Sequence, residues 1–424
     1  MRSCRVDVVV VGAGPAGCAA ATAAAEAGRE VLLLERMFVP RDKPCGDGVA
    51  SRAVAALQTM GVEERIRRRG YHPVLDYRLV SSWGEIVRAG LPSFGKGAGY
   101  AYVVPRLELD ALLVERVREA GARVEEGVRA TGVVEEGDSL IVQGYAAGNE
   151  AVSVRASVAI GADGSRGSFS RKVMRNGPLV PSAVGIRAYA EGVEGLDGAL
   201  SFFLDRRLLP GYGWIFPSGS EGRPANVGVG LDRASLRRIS RKGAGGLRSL
   251  LQWFLGPESS AGRCTRNIRL VSTPTPFPLQ LDFRSGLRRS KRVLFCGDAA
   301  NLINPLSGEG IAYALESGRM AGLAAARAVE GGEEELRRYE EAVAEDQGHE
   351  FRYSGLLKQL LVHSWGNGAV IRLLGRDEGL ARGGMGILAN TVPVGWLVRP
   401  LVWSRVFAPH RLYDILRKTH PAAE

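Results

Sequence analysis

Val6-Asp-Val-Val-Val-Val-Gly12-Ala-Gly14-Pro-Ala-Gly17 is the stretch from which the fold can be read. Val6–Val11 is a short run of mostly β-branched residues, suited to a strand buried on both faces of a parallel sheet. The glycine turn follows at once, then an alanine-rich helix to about Ala27 and a second apolar strand at Val31–Leu34. In that order each glycine has its own task. Gly12 permits the tight turn, Gly14 the close approach of a pyrophosphate, and Gly17 the packing of helix on strand, with the helix N-terminus facing the anion. Glu35 ends the second strand about 20 residues on, where a carboxylate can accept hydrogen bonds from a ribose. The expectation is an α/β, Rossmann-like dinucleotide-binding domain. The glycine motif by itself would also suit a turn that binds nothing.

Outward from this start, Arg106-Leu-Glu-Leu-Asp110 opens a helix that continues to about Ala120. Val124–Val134 and Ser139–Gln143 alternate like antiparallel strands, and Val152–Ile160 leads into Gly161-Ala-Asp-Gly164. Between about 180 and 285 the character changes. Alternating runs (Ser182–Ala190, Ala199–Leu204, Ala225–Val229) are separated by proline-rich turns, with one helical interval near 233–254, which predicts a second domain on an antiparallel sheet. The chain returns to the first domain at Arg292–Glu316, through Phe295-Cys-Gly-Asp-Ala299. The expected division is 1–179 and 286–330 for the nucleotide-binding domain, 180–285 for the inserted antiparallel-sheet substrate domain, and 331–424 for a C-terminal helical region. An insertion of this kind suits a site between domains.

A chain of 424 residues can bury a large core, and its 45% hydrophobic and 24% charged residues are those of a globular protein. The five cysteines show no metal-ligand spacing, so no metal site is expected. The strand that begins at Val6 leaves no room for a leader ahead of it, and a cytoplasmic, reducing setting is the expectation. Cys18 and Cys296 read as small core residues. The net charge of +11 invites a nucleic-acid reading, but no nucleic-acid motif accompanies it. Arg65-Ile-Arg-Arg-Arg69 and Arg284–Arg292 are short runs of the kind found on solvated faces. Anionic headgroups or a diphosphate substrate explain the excess equally well.

Residues 387–416 carry Trp396, Arg399, Pro400, Trp403, Arg405, Phe407, Arg411 and Leu412, and no acidic residue occurs from Gly379 to Tyr413. Arg399 and Pro400 make the apolar run too short to span a bilayer. The segment suits either helices packed on the substrate domain or peripheral contact with a membrane surface.

The glycine turn, Gly161-Ala-Asp-Gly164 and Phe295-Cys-Gly-Asp-Ala299, in this order, resemble the FAD-binding signature of the flavoprotein hydroxylase and geranylgeranyl reductase superfamily. Two further stretches resemble geranylgeranyl and related prenyl reductases in particular. They are Asp42-Lys-Pro-Cys-Gly-Asp-Gly48 and Pro210-Gly-Tyr-Gly-Trp-Ile-Phe-Pro217. The resemblance covers nearly the whole chain to about residue 330 and is loosest over 230–285. It implies an FAD cofactor, held by Gly12, Gly14, Ala16 and Gly17, by Glu35 and Arg36, and by Cys45 and Gly46. It implies that Arg106 contacts the FAD phosphates and that Asp163 and Gly164 lie near the pyrophosphate. Gly297 and Asp298 would meet the ribityl hydroxyls. Asn304-Pro-Leu-Ser-Gly-Glu-Gly-Ile311 would aim backbone N–H groups from Gly308, Gly310 and Ile311 at the flavin ring. Asp163 and Asp298 equally suit turn or cap positions, and Arg106 equally suits a protein surface.

The implied reaction is saturation of isolated C=C bonds in an isoprenoid chain, by hydride from reduced flavin plus a proton. Geranylgeranyl diphosphate, a prenylated lipid and a menaquinone side chain all fit such a substrate. Cys45 is the candidate for placing substrate or assisting proton delivery, although a thiol near pKa 8.5 is a weak acid. Tyr212 and Trp214, with Phe216, are assigned to an apolar wall that holds the chain over the ring. Without these roles, Cys45 is a plain loop thiol and the aromatics plain core. No second nucleotide-binding motif is evident, so the external reductant is NAD(P)H binding transiently or a low-potential electron-donor protein. An FAD monooxygenase, hydroxylase or halogenase-like, shares the three FAD segments and is the alternative.

Overall fold

A computed structural model describes residues 2–92, 96–174, 181–195, 198–217, 224–241, 245–283, 289–361 and 364–398. Arg399, Pro400, Trp403, Arg405, Phe407, Arg411 and Leu412 lie outside the described residues, as do residues 284–288 of the second arginine run. Among the described residues no helix is long and apolar enough to cross a membrane.

Five parallel strands form the heart of the first sheet, in the order Val293–Phe295, Ala151–Gly161, Arg2–Val11, Val31–Glu35 and Arg123–Glu126. Val8, Val9 and Val10 are wholly buried, as expected for a strand covered on both faces. Helices Pro15–Glu26 and Ile311–Gly331 pack backbone to backbone beside this sheet. A Cβ on Gly318 would fall 2.1 Å from the Ala16 carbonyl oxygen, and one on Gly322 2.2 Å from that of Ala20. The alanine-rich composition of the first helix therefore serves close approach.

The second sheet runs Arg269–Leu270, Ala183–Glu191, Ala225–Asp232, Tyr212–Phe216, Leu200–Leu204, Asp76–Ser81, Ile86–Gly90, with Thr275–Leu279 also on Ala183–Glu191. It is antiparallel except where Leu200–Leu204 runs parallel to Asp76–Ser81. Its last two strands come from residues 76–90, upstream of the 180–285 interval. Side-chain alternation divides its faces. Phe203, Ile215, Val227 and Val229 join a core with helix Leu247–Phe254, while Tyr77, Leu200, Phe202, Trp214 and Phe216 face the other way. Helices Glu333–Val343, His349–Leu361, Ser364–Leu374 and Glu378–Leu388 follow. Arg52, 1% exposed, ties this region to the first domain by donating to Glu350 (2.8 Å) as well as to Glu316 of helix Ile311–Gly331 (Nε to Oε1, 2.7 Å).

Candidate functional site

The first glycine turn is fixed by contacts that leave no space for a side chain. Gly12 has φ +104°, and a Cβ there would lie 2.5 Å from the Ala162 carbonyl oxygen. A Cβ on Gly17 would lie 1.8 Å from the Gly12 carbonyl oxygen. Gly14 differs: the nearest group is an Arg106 terminal nitrogen, 3.8 Å away. This leaves a side-chain-free gap between a helix N-terminus and a guanidinium, the environment a phosphate requires.

Around this gap the charges interlock. The Glu35 Oε2 accepts from the Ala13 N–H at 2.8 Å and from Arg41 at 3.2 Å, and its Oε1 accepts from the Met37 N–H at 3.0 Å. Asp110, fully buried, accepts from Arg106 Nε (2.7 Å) and Nη2 (2.8 Å) and from Arg41 Nη1 (2.7 Å). Arg106 is therefore a buried cavity-wall residue and not a surface one. Arg36 is exposed at the cavity mouth.

Asp163 acts as a helix cap as well as a wall residue. It accepts from the backbone N–H of Phe169 (2.9 Å) and Ser170 (3.3 Å) and from the Ser170 hydroxyl, at the start of helix Ser168–Val173. Burial pushes its carboxyl up, and these donors pull it back. Asp298 meets Lys43 at 3.5 Å, and a Cβ on Gly310 would lie 3.1 Å from its Oδ1. Gly308, at φ +71°, takes the left-handed turn before helix Ile311–Gly331.

The cysteine loop and the aromatic strand meet through one buried amide. Asn226 accepts from Trp214 Nε1 at 2.9 Å and donates to the Cys45 carbonyl (2.9 Å) and to Asp47 Oδ2 (2.8 Å). Asp47 also accepts from the Tyr189 hydroxyl at 2.6 Å and the Arg106 N–H at 3.3 Å. Burial pushes the Asp47 carboxyl up to about 6, against the pull of Tyr189, Asn226, Arg187 and Arg106. Burial likewise raises the Cys45 thiol above its ordinary value, against Arg106. Phe202 packs on Phe216 with ring centroids 5.1 Å apart, and the Tyr212 hydroxyl donates to the Ser307 carbonyl.

One cavity unites nearly all the residues singled out from the sequence. Gly12, Gly14, Glu35, Arg36, Cys45, Gly46, Arg106, Asp163, Gly164, Asp298, Gly308, Gly310 and Ile311 line it together with Tyr212, Trp214 and Phe216. Ala16, Gly17 and Gly297 stand behind the wall: a Cβ on Gly297 would lie 2.8 Å from that of Ala16. Sequence reasoning missed Arg41, Asp47, Asp110, Tyr189, Asn226 and Glu309. Asp47, Asp110 and Glu309 stand inside stretches read for their other residues, and Asn226 is the one amide in the apolar run Ala225–Val229, a usable signal. Arg41 and Tyr189 carried none.

A parallel sheet with a glycine turn at its edge, an open glycine position beside Arg106 and an aromatic-walled extension of the same cavity suit a flavoprotein. The FAD binding domain family matches residues 5–177. The menaquinone reductase of Mycobacterium tuberculosis is 38% identical over 326 residues, 74% of this chain and 75% of that one. Digeranylgeranylglycerophospholipid reductase 2 of Methanopyrus kandleri is 34% identical over 82% of this chain and 84% of its own. A geranylgeranyl bacteriochlorophyll reductase-like protein of Thermoplasma acidophilum superposes with TM-score 0.76 at 22% identity, covering 99% of this chain and 100% of that one. The chain belongs to the geranylgeranyl reductase family of flavoproteins and is an FAD-dependent oxidoreductase of that type.

Proposed function

We propose that this protein saturates isolated double bonds in the isoprenoid chain of geranylgeranyl diphosphate, a prenylated lipid or menaquinone. The observation that carries this reading is the shared cavity, in which Trp214 and Phe216 face the Cys45–Gly46 loop and Tyr212 meets the Ser307–Gly308 loop beside the nucleotide gap. Its relatives' names, which specify menaquinone and prenyl-glycerophospholipid reduction, point the same way. When bound in reduced form, FAD supplies the electron pair and one of the two hydrogens. Arg106 and the N-terminus of the helix that follows the glycine turn would hold its phosphates, Glu35 and Arg36 would flank its ribose, and Asp298 would take the ribityl hydroxyls. The aromatic wall excludes water and aligns an unpolarised alkene, which has no polar group to orient it. NAD(P)H or a low-potential electron-donor protein restores the reduced cofactor, and the excess positive charge favours peripheral contact with an anionic membrane.

Reduced enzyme incubated anaerobically with geranylgeranyl diphosphate or a menaquinone is expected to yield product heavier by pairs of hydrogens in mass spectrometry. A product gaining one oxygen atom, formed only with NADPH and air, would establish the hydroxylase alternative instead. Cys45→Ala is expected to retain FAD while reduction slows by about 10-fold or more, the low end of what a lost substrate-positioning contact costs. Unchanged turnover would remove Cys45 from the reaction.

A further inference from the structure

Reduction of an alkene consumes a proton, and the Cys45 thiol, raised by burial, is poorly suited to give one. The loop Asn304–Ile311 presents a second acidic group to the same cavity. We infer that Glu309 is the proton donor for alkene reduction, on a loop built to hold its carboxyl against the cavity wall. This inference rests on the reductase reading above.

Three observations support this role. It lines the cavity together with Tyr77 and Tyr212, and both tyrosines lie within its electrostatic reach. Its Oε2 accepts from the Asn390 side-chain amide, whereas its Oε1 is buried with no hydrogen-bond partner among the described residues. A buried carboxylate oxygen left unpaired is costly, and the cost falls when the group carries a proton. The loop is also held from several sides. Asn304 Oδ1 accepts from the N–H of Leu306 (2.9 Å) and Ser307 (3.2 Å), and its amide donates to Asn390 Oδ1 (2.8 Å). The Asn304 N–H in turn donates to the Glu309 carbonyl at 2.9 Å.

The surroundings set the protonation state. Burial pushes the Glu309 carboxyl up to about 7. The Asn390 amide, the Arg52 charge and the Ala312 N–H pull it down, and Glu316 adds to the rise. An acid poised near neutrality is the form general acid catalysis favours. In the reaction the Glu309 O–H bond breaks as a C–H bond forms at one alkene carbon. The other carbon takes the hydrogen and electron pair contributed by reduced FAD, which becomes oxidised as the C=C π bond is lost. Glu309 is left as a carboxylate and regains its proton from water.

Glu309→Gln keeps the shape and the contact with Asn390 but has no acidic proton, and Glu309→Asp restores an acid on a shorter stem. The first readout is stability of the FAD-loaded protein in urea at about pH 5 and about pH 8. A carboxyl raised above its ordinary 4.5 stabilises the native state fully below that value, and the contribution is lost as pH rises through about 7. The unfolding midpoint of Glu309→Gln is therefore expected to gain on that of the wild type as pH rises. The second readout is single-turnover reduction of geranylgeranyl diphosphate or menaquinone by dithionite-reduced enzyme. The wild-type rate is expected to fall as pH rises through about 7. Glu309→Gln is expected to be slower by about 100-fold or more and to lack that limb, and Glu309→Asp to recover the limb with part of the rate. A Gln variant with wild-type rate and pH profile, or with the wild-type pH dependence of stability, overturns the assignment of Glu309 alone. A wild type that adds no hydrogen to either substrate overturns the reductase reading and this inference with it.

Discussion

Asp110→Ala is expected to destabilise the protein by about 3–5 kcal/mol and to release FAD, because it strands the buried Arg106 guanidinium and removes one of the two carboxylates that hold Arg41. Asp110 has no exposed surface, and Arg106 is 3% exposed. Both Asp110 oxygens are committed to Arg106, and one also takes Arg41 at 2.7 Å. With the carboxylate gone, Arg106 loses both of its side-chain hydrogen bonds, while Arg41 keeps Glu35 at 3.2 Å. Two cations then face each other in a poorly hydrated wall, and that repulsion, more than the lost hydrogen bonds, dominates the cost. Arg106→Met leaves the opposite imbalance, an Asp110 still paired with Arg41, and is expected to cost less in folding while still losing the phosphate contact. Urea unfolding and FAD retention through gel filtration measure both effects. An Asp110→Ala variant within about 1 kcal/mol of the wild type would mean that water enters this cluster and that it is not a dry ion network.

The comparison of these two variants also bears on how far the site could be read from residues alone. The nucleotide-binding half was readable because its constraints are local. The turn geometry at Gly12, the tight contact at Gly17 and the strand-end position of Glu35 all fall within one strand–helix–strand unit, residues 6–35. The alternation of Tyr212, Trp214 and Phe216 put three aromatics on one face, and the sheet places them on the cavity side. What could not be read depends on distant pairing. Arg41 and Asp110 are 69 residues apart, and Asn226 and Asp47 are 179 apart. Neither pair leaves a periodic signature. The parallel pairing of Leu200–Leu204 with Asp76–Ser81 is hidden for the same reason. Glu309 was overlooked for a different reason: its flanking glycines announce a backbone site, which draws attention away from the side chain between them.

Asn226→Leu is expected to lower kcat for prenyl reduction on the order of 100-fold while FAD remains bound, the size of effect that a misplacement of about 1 Å produces. One amide joins three parts of the site. It orients the Trp214 indole, whose ring lies so close to Gly228 that a Cβ there would fall 2.2 Å from it. It also anchors the Cys45 carbonyl and one oxygen of Asp47. Leucine fills the volume but leaves the indole N–H, the carbonyl and the carboxylate each short of a partner, at about 1–3 kcal/mol for each group left unsatisfied. Asp47 then loses a donor that helps keep it ionised, so its carboxyl rises further and its hold on the Arg106 N–H weakens. The phosphate gap is formed by Gly14 and Arg106 and needs no contact from Asn226, which is why cofactor retention is expected to survive. If the amide acts by positioning, KM for the prenyl substrate rises along with the fall in kcat, and the intrinsic fluorescence of Trp214 shifts toward a wetter environment. Wild-type turnover in a variant that shows this spectral shift would separate the aromatic wall from the chemistry. The reductase reading would then depend on the Cys45 loop and Glu309 alone.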